Sequence, residues 1–403
     1  MISIEEARQR IAQDIAVLAP VLVPLAESRG LVLAQEVASS EPIPPFANTA
    51  MDGFAIRAVD SEGASPDAPR RVPVVGTVAA GSVASRPLQA GEAMRIMTGA
   101  PIPDGADAII MVELTRAVGE DVELLAQVPV GNHVRPAGDD LSPGVVIFEP
   151  GVTITPGHIG VLASVGLEAV LVHPRPRVGV FSTGDELVSG PQPLAPGQIR
   201  DSNRPTLLSL LEEAGFVGVD LGSLPDDEAE IEAALRAAVG RVDALLTSGG
   251  VSMGDFDFVK QVLSKLGELN WMQIAIKPAK PLAFGLLLGT PIFGLPGNPV
   301  SSMVSFELFA RPALRRMMGR SDTERPTVLA LADEPLLRSP DGKVHFNRVV
   351  VAQQPDGAWR VRSAGGQGSH QLSAMATANG LAVLPDGDGI PAGGRVTVIR
   401  LDG

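Results

Sequence analysis

The chain contains no cysteine among its 403 residues. Disulfides, thiolate nucleophiles and cysteine-ligated zinc or iron–sulfur centres are therefore excluded. Histidine is also scarce, and its five residues are scattered without a His-x-x-x-His pair, so a histidine-ligated metal centre is not expected. Carboxylates remain as the candidate ligands for a hard cation such as Mg²⁺.

Long apolar runs are also missing. No segment approaches the ~18–20 apolar residues that are needed to cross a bilayer, because the longest candidate, 282–293, is broken by glycines and Pro291. The N-terminus lacks a basic segment followed by an apolar core, so no signal peptide is predicted. We therefore expect a cytoplasmic protein that does not contact a membrane.

Positive charge is sparse and unevenly placed. The formal net charge is −14, which makes a nucleic-acid surface unexpected because phosphate binding needs clustered Lys and Arg. Four of the five lysines fall between residues 260 and 280. Lys260 and Lys265 fit a solvated helix face, whereas Lys277 and Lys280 lie in Ile276-Lys-Pro-Ala-Lys-Pro281, where the prolines restrict the backbone. This loop is predicted to hold an anion.

The pattern of strands, helices and turns predicts a multidomain protein of the α/β plus β class. Strand and helix alternate over 173–320, which predicts a three-layer α/β domain. Dense prolines and short alternating runs predict a small β domain over 46–140, and Asp-Gly turns between short strands predict a C-terminal β domain over 321–403. Residues 1–45 and 141–172 are assigned to an N-terminal linker domain, which starts with a helix over 3–18 capped by Ser3.

Three loops that follow predicted strands are candidates for ligand binding: 181–187, 247–257 and 294–302. Taken alone, each loop is explained by the residue types that turns require. Ligands of open α/β sheets, however, bind at the carboxyl ends of strands, and a glycine turn before a helix binds phosphate. Together the loops favour a phosphorylated ligand. The candidate ligand-binding residues are Ser182, Thr183, Gly184, Asp185, Ser248, Gly249, Gly250, Ser252, Gly254, Gly297 and Asn298.

Carboxylates accompany these loops, namely Asp185, Glu186, Asp226, Asp227, Asp255 and Asp257. Asp226 could instead cap the helix that follows it, and Asp227 would favour that helix's dipole. A purely structural role explains Glu186 and Asp257 less well than it explains Asp226 and Asp227. Carboxylates repel a phosphate unless a divalent cation intervenes, and Mg²⁺ binds through one or two carboxylates plus phosphate oxygens.

Ten segments together resemble the molybdenum insertase family, the molybdopterin molybdenumtransferases that include the C-terminal domain of gephyrin. They include Met-Asp-Gly-Phe-Ala (51–55), Ser-Thr-Gly-Asp-Glu-Leu (182–187), Ser-Gly-Gly-Val-Ser-Met-Gly (248–254) and Gly-Leu-Pro-Gly-Asn-Pro (294–299). The others are 95–101, 138–140, 200–203, 276–281, 345–348 and 371–379. Their order and spacing also fit the family over nearly the whole chain.

The resemblance implies four domains in an elongated homodimer, in which the β domain of one subunit closes over the molybdopterin-binding α/β domain of the other. It implies that adenylylated molybdopterin and molybdate react with Mg²⁺ to give AMP and molybdenum cofactor. Contact with a molybdopterin adenylyltransferase and with apo-molybdoenzymes is a further expectation.

Family positions carry over residue by residue. The functional set maps onto Asp52, Thr98, Asp140, Glu186, Asp226, Asp257, Pro296 and Pro299. The molybdate-binding set maps onto Lys277, Lys280, Arg348 and Ser369. We assign Asp226 and Asp257 to the metal, and Glu186 or Asp52 to proton transfer, since crowded carboxylates raise one another's pKa.

Two alternatives remain at this point. A nucleotidyltransferase on the same α/β fold, like the molybdopterin adenylyltransferases, would not need the flanking β domains. A non-catalytic pterin-binding scaffold would tolerate loss of every carboxylate named above.

Overall fold

The computed structural model describes residues 1–249 and 258–402, with side chains left out for 258–260. The chain forms two compact units. The smaller unit contains Pro24–Glu27 and Gln35–Val170, and the larger contains Met1–Val23, Ser28–Ala34 and Leu171–Gly403. The four predicted domain boundaries stay a prediction. No helix in the described residues is long and apolar enough to cross a membrane.

The smaller unit is built on a six-stranded sheet, as its alternating runs predict. The side chains of Ile56, Ile110 and Val122 are fully buried in its core. Across the sheet the strand order is Ala108–Met111, Gly53–Ile56, Ala93–Ile96, Arg70–Val78, Asp121–Leu124 and Thr115–Val118. Its other elements are the strand pairs Asn48–Thr49 with Val134–Arg135 and Val37–Ala38 with Val146–Phe148, the 3₁₀ helices Leu25–Glu27, Ala58–Ser61 and Val112–Leu114, and the helix Pro156–Ser164.

The centre of the larger unit is a mixed six-stranded sheet. Its strand order is Val217–Leu224, Arg177–Thr183, Ala244–Ser248, Thr290–Leu295, Pro281–Leu287 and Gly267–Gln273. The first four strands are parallel and the last two are antiparallel. Every residue of Ala244–Ser248 is buried, as expected for a parallel strand covered on both faces. The predicted α/β domain is confirmed.

Helices flank this sheet. Glu228–Ala238 and Phe258–Leu266 contact one another, and Val262, Leu263 and Phe181 belong to one buried cluster with the sheet. Asn203–Glu213 contacts Pro299–Ser305. The short parallel strands Leu187–Val188 and Ile199–Arg200 precede the helix Asn203–Glu213.

The sequence also predicts a hairpin turn at Gly289-Thr290 and a single helix over 299–318, and the structure differs from both. The turn is Leu288-Gly289, because both residues take positive φ, 48° and 85°, as a primed two-residue turn requires. The helical segment consists of Pro299–Ser305, a π segment Phe306–Ala310 and a helix Arg311–Met317.

The N-terminal helix belongs to the larger unit. It spans Ile4–Gln13, and the Glu6 backbone N–H donates to Ser3 Oγ at 3.0 Å, which confirms the predicted cap. The Glu6 carboxylate pairs with Arg10 at 2.7 Å instead of closing the reciprocal half of a capping box. Ala7 and Ile11 are buried, and the helix contacts the π segment.

The C-terminal part forms a closed β barrel. Val344–Gln353 pairs with both Trp359–Ser363 and Gly380–Leu384, and Thr327–Ala332 and Arg395–Arg400 complete the ring. Ile276–Lys277 adds to Val344–Gln353 in parallel, with Lys277 opposite His345. The lysine loop is therefore fixed to the barrel at one end. The remaining elements of the larger unit are the strands Val32–Leu33, Leu336–Leu337 and Gly389–Ile390 and the helix Leu372–Thr377. The strands Val21–Pro24 and Ala169–His173 have residues in both units.

Candidate active site

Three loops meet at one edge of the central sheet. The strands end level with one another, because Ser182 pairs with Ser248 and Ser248 pairs with Leu295. A Cβ on Gly249 would lie 3.2 Å from the Thr183 carbonyl oxygen, and a Cβ on Gly297 would lie 3.9 Å from Gly249 Cα. Gly249 also has φ +97°, which side-chain-bearing residues rarely adopt. The chain therefore brings its three candidate loops together around a glycine.

Part of the second loop falls outside the described residues. The predicted ligand-binding residues Gly250, Ser252 and Gly254, together with Asp255 and the predicted metal ligand Asp257, lie there.

The first loop is anchored by a buried ionic network that sequence reasoning missed. Ser182 Oγ donates to Asp201 Oδ2 at 2.8 Å, and the Arg204 guanidinium donates to the same carboxylate at 3.1 Å. Arg204 also pairs with Asp220 at 2.6 Å. The Asp201 side chain is 1% exposed, so its contacts with Ser182 and Arg204 lie away from water, whereas Asp220 is 51% exposed. Ser182 is fully buried and uses its hydroxyl to hold the loop.

A second missed residue, Asn203, links the other two loops. Its Nδ2 donates to Ser248 Oγ at 2.6 Å and to the Gly297 carbonyl at 2.7 Å. Segment 200–203 is one of those that carry the family resemblance, but the resemblance assigns no role to the Asn203 side chain.

The predicted acidic residues Asp185, Glu186 and Asp226 lie close together. The Asp226 backbone N–H donates to Asp185 Oδ1 at 3.1 Å. Burial raises the pKa of Asp226 above its usual value, and the negative charges of Asp185 and Glu186 raise it further against one opposing backbone hydrogen bond. Glu186 folds back over Gly184, whose φ of +139° and missing Cβ leave room for the carboxylate.

Asp226 does not cap the following helix, so that alternative is wrong. The cap is Asp227, whose Oδ1 accepts the Glu230 backbone N–H at 2.9 Å. Asp227 therefore caps the helix, and the side chain of Asp226 belongs to the acidic cluster. No group of three His, Asp or Glu side chains with metal-site geometry occurs within the described residues.

A cavity of about 470 Å³ contains most of the predicted molybdate-binding residues. Lys277, Lys280 and Ser369 line it, together with Pro296 and Asn298 from the third loop. The Val300 backbone N–H donates to the Ser369 carbonyl at 3.1 Å, which fixes the barrel against the helix that starts at Pro299. The lining also includes Ser301, Lys343 and His370, which sequence reasoning did not assign.

The backbone between the two lysines is held tightly. Ala279 takes φ +75° and is 3% exposed. A left-handed conformation costs a residue other than glycine about 1 kcal/mol or more, and it persists where the surroundings determine it. The Ile274 backbone N–H donates to the Lys280 carbonyl at 2.8 Å, so both ends of the loop are fixed.

Arg348 lines a neighbouring cavity of about 420 Å³, which shares Lys277, Gln367 and Gly368 with the first. Its side chain is 1% exposed and donates to the Gly366 and Gly368 carbonyls at 3.0 and 3.1 Å. Burial lowers the pKa of Arg348 to about 10. Within residues 1–249 and 258–402 no carboxylate pairs with it, and its Nε has no hydrogen-bond partner. Lys277 therefore lines two cavities, and each holds positive charge that has no carboxylate partner among the described residues.

In the smaller unit, Asp52 and Thr98 form a pair. The Thr98 backbone N–H and hydroxyl donate to Asp52 Oδ1 at 2.6 and 2.7 Å. These two hydrogen bonds lower the pKa of Asp52, and Arg95 adds to the effect against a small desolvation. Asp140 is exposed, and its backbone N–H donates to the Ile43 carbonyl at 2.9 Å.

Three family models match the chain in consecutive ranges. They are described as the MoeA N-terminal region (domain I and II) over residues 2–166, a probable molybdopterin binding domain over 179–316, and the MoeA C-terminal region (domain IV) over 336–401.

Individual relatives match over nearly their full length. Molybdopterin molybdenumtransferase 2 of Mycobacterium tuberculosis is 40% identical over 392 residues, 96% of each protein. Molybdopterin molybdenumtransferase of Haemophilus influenzae is 37% identical over 405 residues, 99% of this chain and 98% of the relative. The crystal structure of the molybdopterin biosynthesis MoeA protein from Pyrococcus horikoshii superposes with a TM-score of 0.83 at 30% identity, covering 100% of both chains.

Proposed function

Since the chain belongs to the molybdopterin molybdenumtransferase family and is thus an enzyme of molybdenum cofactor biosynthesis, we propose that it inserts molybdate into adenylylated molybdopterin and releases AMP with the help of Mg²⁺. The observation that supports this most directly is the cavity lined by Lys277, Lys280 and the third loop. Two lysines in a cavity beside the third loop suit an oxyanion that would bind next to a pterin phosphate at the edge of the sheet.

The pterin phosphate binds at the three converging loops. Gly249 and Gly297 allow the ligand to approach the backbone, and the helix that starts at Pro299 directs its positive dipole end toward this edge. Thr183 and Ser248 are each at most 7% exposed, and they end the strands that carry the first two loops.

Molybdate binds between the α/β domain and the barrel. It is a dianion, so it needs cations and N–H donors. Lys277 and Lys280 provide exposed ammonium groups, and Arg348 provides a buried guanidinium without a carboxylate partner in the described residues. Ser369 lines the same cavity as the two lysines.

Proton transfer is assigned to the acidic cluster. Replacing an oxo ligand of molybdate by a dithiolene sulfur requires a proton on the departing oxygen. Glu186, which lies beside Asp226, is assigned the role of proton donor, whereas Asp52 stays ionised through its bonds to Thr98 and fits a proton acceptor.

The residues present also fit Mg²⁺. Asp226 lies among carboxylates whose mutual repulsion a cation would relieve, and Mg²⁺ needs only one or two carboxylates when phosphate oxygens complete its shell. Asp226 and Asp257 would hold the ion. When bound, it neutralises charge on the phosphoanhydride during cleavage.

The assembly proposed for the enzyme is a homodimer in the cytoplasm. Asp52, Thr98 and Asp140 of one subunit then complete the site of the other, and a molybdopterin adenylyltransferase and apo-molybdoenzymes deliver the substrate and take the product.

The direct test uses purified protein with adenylylated molybdopterin, molybdate and Mg²⁺. AMP, measured by chromatography, should appear together with cofactor that activates an apo-molybdoenzyme. AMP release without metal insertion, or no AMP at all, refutes the proposal. Turnover of ATP would support the nucleotidyltransferase alternative, and tight pterin binding without turnover would support the scaffold.

A further inference from the structure

Asn203 joins two loops of the site that are far apart in the chain. It lies at the first turn of the helix Asn203–Glu213. Its Nδ2 spans from Ser248 Oγ, at the end of the central strand, to the Gly297 carbonyl in the third loop, at 2.6 and 2.7 Å. The second and third loops are therefore connected through one amide group.

The orientation of this amide is fixed by its partners. The Gly297 carbonyl can only accept a hydrogen bond, so the atom 2.7 Å from it must be the nitrogen. The second hydrogen of Nδ2 then points at Ser248 Oγ. The Asn203 carboxamide oxygen is left on the opposite side.

This arrangement determines what the Ser248 hydroxyl does. Because its oxygen accepts from Asn203, its own hydrogen is available to another acceptor. Within residues 1–249 and 258–402, the Ser248 hydroxyl donates to no protein group. Ser248 is 3% exposed and ends its strand at the three-loop edge.

The Asn203 oxygen is a buried acceptor without a partner in the described residues. An unsatisfied buried acceptor costs on the order of 1–3 kcal/mol. Such an atom is explained if a ligand supplies the missing donor. A pterin carries ring N–H and amino groups that can fill this role.

We propose that Asn203 is a positioning residue of the pterin-phosphate site: its Nδ2 turns the Ser248 hydroxyl into a donor for the ligand phosphate, and its Oδ1 accepts a hydrogen bond from the ligand. The inference rests on the proposed function. It assigns a role to a residue that touches both loops and that neither loop motif contains.

The test compares Asn203→Ala, Asn203→Asp, Ser248→Ala and the Asn203→Ala/Ser248→Ala double variant in the full-length enzyme. Binding of adenylylated molybdopterin is measured by calorimetry, and KM and kcat are measured for AMP release. Ser248→Ala should raise Kd and KM about tenfold, the scale of one hydrogen bond to a charged group, and Asn203→Ala should raise them at least as much because it also removes Oδ1. The double variant should be no worse than Asn203→Ala alone, since that variant already removes the positioning of the Ser248 hydroxyl.

Asn203→Asp keeps the volume but cannot donate to Gly297 or Ser248. It should weaken binding more than Asn203→Ala, because a carboxylate would draw the Ser248 hydrogen away from the phosphate and repel the ligand. Asn270→Ala, at an exposed position of the edge strand Gly267–Gln273, is the control and should leave Kd and KM unchanged.

The outcomes separate the two proposals. Wild-type protein that neither binds adenylylated molybdopterin nor releases AMP defeats the proposed function and this inference with it. Wild-type activity together with unchanged Kd in the folded Asn203 variants defeats the inference alone. Single-variant effects that multiply in the double variant also defeat it, because they show that Asn203 does not act through Ser248.

Discussion

Asp226 donates its backbone N–H to the carboxylate of Asp185, and its own carboxyl group is left facing the charges of Asp185 and Glu186. The neighbouring Asp227 caps the helix instead. Two adjacent aspartates thus have opposite consequences for stability. The first is held in an environment that disfavours its charge, and the second contributes a helix cap.

Asp226→Asn should stabilise the free enzyme at neutral pH while abolishing molybdenum insertion. The folded-state pKa of Asp226 lies above the unfolded value of 3.8, so the folded chain binds the proton more tightly and loses stability as pH rises through that window. The asparagine side chain does not ionise, so the Asp226→Asn variant does not lose stability in this pH range. The gain in Tm should therefore be present at pH 7 and vanish as pH falls below the unfolded pKa of an aspartate, as differential scanning calorimetry can show.

The matched control is Asp227→Ala, which removes the cap and should reduce the free energy of unfolding by about 1 kcal/mol with little effect on turnover. Mg²⁺ provides a second check. It should raise the Tm of the wild type and raise that of Asp226→Asn much less. Equal Mg²⁺ stabilisation in both would remove Asp226 from the metal site.

Arg348→Met should raise the KM for molybdate by at least about tenfold, because a buried charge without a carboxylate partner in the described part of the chain is available to an anion. The loss in Tm should be modest, since methionine removes the desolvation penalty that lowers the pKa of Arg348 to about 10. Steady-state kinetics at varied molybdate and thermal unfolding measure the two effects separately.

Arg338 provides the contrast for Arg348, because it lines the same cavity but pairs with Asp341 and Asp386. Its side chain is fully buried. Arg338→Met should lower the Tm more than Arg348→Met does, because it removes the partner of two carboxylates and of the Lys343, Leu384 and Pro385 carbonyls. If Arg348→Met destabilised as much and left the KM for molybdate unchanged, Arg348 would be a structural residue.

Arg8 substitutes for a helical hydrogen bond that Pro312 removes. Pro312 has no N–H for the Leu308 carbonyl four residues earlier, and Arg8 Nε donates to that carbonyl at 3.0 Å, next to the π segment. Arg8→Met should leave the buried carbonyl unpaired and lower the free energy of unfolding in urea by about 1–3 kcal/mol.

The double variant Arg8→Met/Pro312→Ala should recover part of the lost free energy of unfolding, because alanine restores a backbone N–H at position 312 for the Leu308 carbonyl. The ion pair of Arg8 with Glu324 is exposed, so Glu324→Gln should change stability by less than about 1 kcal/mol. No recovery in the double variant would show that Arg8 stabilises the helix by other contacts.

The sequence predicts the central sheet well because its parallel strands are buried on both faces and appear as continuous apolar runs, as in Ala244–Ser248. The meeting of the three loops follows from the rule that parallel strands end at one edge. The choice between Asp226 and Asp227 as the cap could not be made locally, since either aspartate suits that position and helix ends are uncertain by a residue or two.

The contacts that complete the site depend on tertiary structure. Asn203 reaches Ser248 and Gly297 across 45 and 94 residues. Lys343 and His370 line the cavity with Lys277 and Lys280 because the barrel packs against the lysine loop. Neither the Asn203 contacts nor the lining of this cavity produces a periodic pattern in the sequence. The positive φ of Ala279 is also invisible in sequence, because alanine gives no sign of a left-handed conformation.

Thr98→Val should raise the pKa of Asp52 toward its ordinary value. In the folded protein two hydrogen bonds from Thr98 lower this pKa, and valine removes the hydroxyl but keeps the backbone N–H, so part of the shift should remain. Titration of ¹³C-labelled aspartate carboxyl groups by NMR measures the pKa of Asp52 in the wild type and in the variant.

The folded-state pKa of Asp52 lies below the unfolded one, so the stabilisation by the Asp52–Thr98 pair is present above pH 3.8 and is lost as pH falls through the folded pKa. An Asp52 that titrates in the ordinary range in the wild type would remove the reason for assigning it as the proton acceptor, and the division of roles between Asp52 and Glu186 would fail.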